Sequence, residues 1–296
     1  MTTVYLSPTG SDSYTYVQAQ SALTPWLTIG KCYTSATNGD TVSMAAGTYS
    51  FSANIGYNIK SLTFVGAALS NNFPTTILDG GSASRIWQIC NSQNLTMSNI
   101  WIKNVANDNS TTYGLFDIVF TNGGTGNGTI TLTNCAITGF QADGSTSETG
   151  NMFNSSSTQP YTLVATSCLF ALKRKSSAAG SFARFCGGRT YTVNLTNCDV
   201  YTDGSSGTLL TSLFGGQSTT QTLTFQNTIM YAASAVTFNN HSGTKVVVAT
   251  NSDFYQLTGS PSGTGVITSD PLFVRPSLLD FRLRPASPCI GMGVLI

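Results

Sequence analysis

The 296-residue chain has few groups with which to do chemistry: 12 acidic side chains, 13 lysines and arginines, one histidine and seven cysteines. A calcium site would need three or more convergent carboxylates, because calcium takes about 6–8 oxygens. The acids are Asp12, Asp40, Asp79, Asp108, Asp117, Asp143, Glu148, Asp199, Asp203, Asp253, Asp270 and Asp280, and the repeat described below brings no three of them into one column on adjacent turns. Asp199 and Asp253 share a column, with Ile229 between them. The densest mixed cluster joins Lys173, Arg174 and Lys175 to Asp143 and Glu148 one loop earlier and Asp203 one loop later, with Arg184 and Arg189 near in sequence. Such a patch would bind an acidic glycan or supply a lyase base, and for an enzyme Lys173, Arg174, Asp143 and Asp203 are the catalytic candidates. The bland reading is a set of solvated loop ion pairs, Asp203 with Lys173 for example, each worth little.

Other reactive types point to no site. His241, in NNHSG, has no evident base partner or second histidine. The cysteines Cys32, Cys90, Cys135, Cys168, Cys186, Cys198 and Cys289 lack the CxxC spacing that zinc prefers, so they read as small buried hydrophobes, and no metal or cofactor is expected. The glycine-rich NGGTGNGT (122–129) is turn material, since no GK[ST] follows it.

The elements that hold these residues repeat. NLTMSNIWI (94–102), TITLTNCAI (129–137), TLVATSCLF (162–170), TVNLTNCDV (192–200), TLTFQNTIM (222–230) and VVVATNSDF (246–254) align on Asn99, Asn134, Ser167, Asn197, Asn227 and Asn251, with Gly66 as an earlier copy. Their spacing of 24–35 residues marks one supersecondary unit per turn. Alternation with period 2 flanks each aligned residue, and Asn or Gly there suits a left-handed bend between two strands. No unit holds an amphipathic helix, so the strands are expected to coil into an all-β solenoid, a single-stranded right-handed parallel β-helix.

The alignment sorts side chains by face. Leu95, Ile130, Leu163, Val193, Leu223 and Val247 point inward, as do Ile102, Ile137, Phe170, Val200, Met230 and Phe254 after the bend. Cys135, Cys168 and Cys198 should stack inside as a thiol ladder between Ile100 and Thr228. Outside, threonines line one face (Thr129, Thr162, Thr192, Thr222), which suits an exposed pleat or a surface that binds ice or glycan. Beyond the bend, Trp101, Leu169 and Ile229 in one column and Tyr201, Tyr231 and Tyr255 in the next point outward. An apolar patch of this kind marks an interface, a covering loop or a platform for stacking sugars.

The two ends carry a resemblance. VYLSPTGSDS, followed by TPWLTIGKCYTSATNGDTVSMAAGTYSF, resembles the opening of right-handed parallel β-helix proteins of the pectate-lyase-like class, and TTILDGG (75–81) is similar to their Leu-Asp-Gly turn. SDPLFVRPSLLDFRLRPASPCIGMG (269–293) resembles the closing segment of bacterial surface and phage virion members. The resemblance implies one β-helix domain over 1–296: a strand and helix cap over 1–50, rungs over 51–265, and a Pro-rich cap over 266–296. Residues 26–36, with Trp26, Ile29 and Cys32 at helical spacing, would cap the first end. Pro271, Pro276, Pro285 and Pro288 would close the second, because proline cannot continue a ladder.

Composition bounds the function. Charged residues are 8% of the chain and the net charge is +1, against about 25% charged in an ordinary soluble domain. A nucleic-acid binder needs a concentrated basic footprint, so none is expected. No apolar run of about 18 residues is present to cross a membrane, and MTTVYLSPTG lacks the basic and apolar regions of a secretory signal. These features lead to a non-enzymatic structural or surface-display protein on a virion or extracellular surface: a decoration, fibre or tail component, or an adhesin, with protein partners or self-association. The alternative is a carbohydrate-active enzyme, a polysaccharide lyase or glycosidase of the depolymerase kind. A glycan- or ice-binding module is a third reading.

Overall fold

The recurring bend residues sit in left-handed backbone: Asn99 (φ 58°), Asn134 (52°), Ser167 (53°), Asn197 (53°), Asn227 (49°) and Asn251 (46°). Asparagine tolerates that region better than other residues with a side chain, and each bend amide donates to a carbonyl one turn on, Asn134 to Thr166 at 3.0 Å and Asn197 to Gln226 at 2.9 Å. Gly66 differs. Its φ is not left-handed; glycine is required there because a Cβ would overlap the Asn99 carbonyl.

The computed structural model describes residues 1–50, 55–58, 60–81, 87–90, 93–105, 114–119, 128–142, 150–155, 160–174, 180–185, 190–203, 214–216, 220–239 and 243–293. Strands on either side of each bend belong to a nine-stranded and an eight-stranded sheet, and among the described residues a six-stranded sheet forms a third side over the middle turns. In all three, each strand pairs in parallel with its copy one turn away: Ile130 faces Leu163, then Val193, then Leu223. The chain is thus a right-handed parallel β-helix, in line with the handedness of parallel crossovers generally. The described helices are short, and none is long and apolar enough to cross a membrane.

The interior fills with the expected columns. Leu95, Ile130, Leu163, Val193 and Leu223 are fully buried, each contributing about 1.5–3 kcal/mol. Val247 is only partly buried, because its strand Thr244–Thr250 is the last of the nine-stranded sheet. The thiol ladder forms: the Cys135 amide meets Cys168 Sγ at 3.4 Å, and the Cys168 and Cys198 thiols donate to the carbonyls of Thr166 and Thr196 at 3.3 Å. Thr228 and Ser252 continue it with hydroxyls. On the outer face, Thr129, Thr162, Thr192 and Thr222 register directly and stay half-buried.

At the first end, the helix Ile29–Ser35 is capped by Thr28, which accepts from the Lys31 amide at 3.1 Å; Trp26, Ile29 and Cys32 are buried. The proline-rich segment folds back on itself. Its strands Phe273–Arg275 and Asp280–Leu283 form an antiparallel hairpin along the flank of the eight-stranded sheet. The outward tyrosines explain this. Tyr201, Tyr231 and Tyr255 stack with centroids 5.6 and 5.3 Å apart; Phe273 packs edge-on to Tyr231 at 5.8 Å, and Phe281 to Tyr201 at 5.4 Å.

Candidate functional site

A groove runs along the outside of the tube beside the asparagine bends. After each bend residue the chain places one side chain inward, the thiol column, and the next outward, so Ala136, Leu169, Asp199, Ile229 and Asp253 line up as a floor. The bend side chains Asn134, Ser167 and Asn197 edge it. A loop between the strands Leu62–Val65 and Thr76–Asp79 forms the end wall. Its tip is tight: Ser70 and Phe73 exchange two backbone hydrogen bonds at 2.9 Å across Asn71 and Asn72, both left-handed, which is the geometry of a two-residue hairpin turn. Phe73 then packs edge-on to Trp101 at 5.1 Å, which leans the loop over that rung, and the groove opens on the next. The open part encloses about 390 Å³, within the range of small-ligand sites.

The far part of the groove is covered. Cys289, Met292 and Gly293 from the C-terminal segment lie against Asn227, Ile229 and Asp253 and leave a cavity of about 70 Å³. The Cys289 thiol donates to Asp253 Oδ2 at 3.1 Å. Asp253 is only 2% exposed, and the neighbouring Phe254 amide is committed to the Ile267 carbonyl at 3.0 Å, so Asp253 Oδ1 has no hydrogen-bond partner. Burial pushes this carboxyl up to about 6. The Cys289 thiol is pushed up to about 12, by burial first and then by Asp253.

Asp199 occupies the floor of the open part. It keeps partial contact with solvent, yet protein surrounds it on the other sides, and burial alone pushes its pKa up to about 7. Among the described residues no cation or hydrogen-bond donor offsets that cost. A carboxyl balanced near neutral pH is able both to give and to take a proton, and a perturbed acid in a cleft is the mark of a functional group.

No family model matches the chain, and no curated protein matches it. Solved structures do. A rhamnogalacturonan lyase is 13% identical with a TM-score of 0.39, covering 100% of this chain and 95% of its own. The pectate lyase Pel9A is 13% identical at a TM-score of 0.37, over 97% of this chain and 90% of its own. A pectin methylesterase from Aspergillus niger is 13% identical at 0.36, over 90% and 84%.

The residues singled out in the sequence fall in different places. Lys173 and Arg174 end the strand Leu169–Arg174, and their side chains lie outside the described part, as do all of Asp143, Lys175, Glu148, Arg189 and His241. Asp203 follows the strand Asp199–Thr202; its amide donates to the Leu172 carbonyl at 3.3 Å and its charge helps raise the Tyr201 hydroxyl, mainly lifted by burial, to about 12. Tyr201 is buried and Tyr231 and Tyr255 partly so, beneath the chain's own hairpin. Trp101 lies under the loop, donating from Nε1 to Thr138 Oγ1 at 2.7 Å. Leu169 and Ile229 are groove floor. The sequence reading set Asp199 aside for lacking a second acid beside it. Its isolation among Ala136, Leu169 and Ile229 was the signal, since a carboxyl flanked by apolar neighbours must lose solvation.

Proposed function

We propose that the protein is a carbohydrate-active enzyme that binds a glycan in the groove beside the bends, with Asp199 as its proton-transferring group. The observation that carries this reading is a carboxyl raised to about 7 on the floor of a 390 Å³ cleft. The cleft is bordered by amides and a hydroxyl on one side and by Phe73 at its end. Amides pair with sugar hydroxyls, and an aromatic ring packs against sugar C–H faces. Release of reducing ends from a polysaccharide panel between pH 5 and 9 tests it. Asp199→Asn is expected to lower turnover by about 10²–10⁴-fold, the usual share of a general acid or base. Turnover unchanged by that substitution contradicts the assignment.

A second reading is a non-enzymatic surface or virion component, and one observation favours it. The last strand of the nine-stranded sheet, Thr244–Thr250, exposes Val246 (44%) and Val248 (50%) beside an edge that an assembly partner would cover. No turnover on any polysaccharide, together with a native mass that is a multiple of the chain mass, would favour this reading over the first.

A further inference from the structure

The bend column carries two side-chain amide pairs, and the gap between them falls at Ser167. Asn134 Nδ2 donates to Asn99 Oδ1 at 3.2 Å, and Asn227 Nδ2 donates to Asn197 Oδ1 at 2.9 Å. Between these pairs stands Ser167, whose hydroxyl makes no side-chain link to either neighbour among the described residues. Asn134 Oδ1 and Asn197 Nδ2 therefore make no link along the column, and the two residues stand two strand spacings, about 9–10 Å, apart along it. Nothing in the backbone calls for serine here: Ser167 has the same left-handed φ of 53° as Asn197, where asparagine is favoured. A position that departs from its local rule with no structural gain is where a functional demand is expected. The break also has a defined location. Asn134, Ser167 and Asn197 all line the 390 Å³ groove, directly beside Leu169 and Asp199.

The charges around the groove narrow the ligand. Its described lining is Leu69, Asn72, Phe73, Pro74, the bend residues and thiols, Ala136, Leu169 and Asp199, with no lysine or arginine among them. Lys103, on the same sheet, is held by Asp79 at 3.4 Å and lies 5.0 Å from the Trp101 ring centroid. Lys173 is four residues beyond Leu169 along its strand, about 13 Å away. Among the described residues, a uronate in the groove would thus meet Asp199 with like charge and no counter-ion.

We propose that the break in the amide ladder at Ser167 is the recognition point of the groove, and that it takes the hydroxyls of an uncharged glycan and excludes polyuronates. The free acceptor on Asn134, the Ser167 hydroxyl and the free donor on Asn197 match neighbouring sugar hydroxyls, which donate and accept at once. This rests on the glycan reading of the groove and assigns its substrate class.

Affinity electrophoresis of the full chain tests it, with gels containing galactomannan, xylan or mixed-linkage β-glucan as neutral probes and polygalacturonate or alginate as anionic ones. Retardation is expected in at least one neutral gel and in neither anionic gel. Ser167→Asn completes the ladder and should weaken that binding at least about tenfold, the worth of a hydrogen-bonded contact or two, while the melting temperature holds or rises. Ser167→Gly keeps the gap open and relieves the left-handed strain but removes the hydroxyl, so its binding should fall by less than that of Ser167→Asn. Neutral binding unaffected by Ser167→Asn overturns the assignment of the gap; if Asp199→Asn still abolishes turnover, the groove reading survives that loss. Retardation by polyuronates alone overturns the substrate class, and no retardation in any gel overturns both proposals.

Discussion

Asp253 is a carboxyl buried under the C-terminal segment with one oxygen unsatisfied, and that makes folding depend on pH. Its pKa stands at about 6 in the folded chain against an ordinary 3.8, so the native state favours the protonated form. Stability from this group is full below about pH 4 and is lost as pH rises through 6; at 1.36 kcal/mol per pKa step the loss is about 3 kcal/mol by pH 8. Asp253→Asn should therefore raise stability at pH 8 and change little at pH 4, as read from urea midpoints at both values. An unchanged midpoint at pH 8 would show that the ionised carboxylate is solvated after all. The sequence placed Asp199 and Asp253 in one column correctly, since period-2 alternation fixes which side chains point outward. Their depths depend on the Leu69–Pro74 loop and the Cys289–Gly293 segment, which come from distant parts of the chain and carry no periodic signal.

The element whose docking surface the sequence left open is the C-terminal hairpin. Four prolines marked residues 271–288 as unable to extend a parallel ladder, and that much holds. Where the segment docks follows apolar area, and three stacked tyrosines on the flank supply it. Phe273, 5% exposed, is the anchor, touching both Tyr231 and Phe281. Phe273→Ala should cost about 3–5 kcal/mol of hairpin docking. Limited proteolysis is expected to cut first within 269–293 while the far-UV circular dichroism of the tube persists. Cleavage no faster than in the wild type would mean that other contacts hold the hairpin down. Release would also expose Tyr231 and Tyr255, so the same variant tests whether the tyrosine column has any affinity of its own for sugars.

The tube as a whole follows from a few residues used many times. Left-handed asparagines at intervals of about one turn turn each strand into the next, and the inward columns then stack without further instruction, which is why the solenoid was legible from the chain alone. Repetition has a second consequence: any position that breaks a column stands out against its neighbours. Ser167 interrupts the amide column, Asp199 stands between the apolar Leu169 and Ile229 on the floor, and both line the same groove. The central claim is that this groove is where the protein acts, through a carboxyl held near neutrality. The most direct test is a carbon-13 NMR titration of aspartate-labelled protein, with the Asp199 resonance assigned by its disappearance in Asp199→Asn. A midpoint at about 7 that moves when galactomannan oligosaccharides are added is the predicted result. A midpoint at the ordinary 3.8, indifferent to every oligosaccharide, would contradict it.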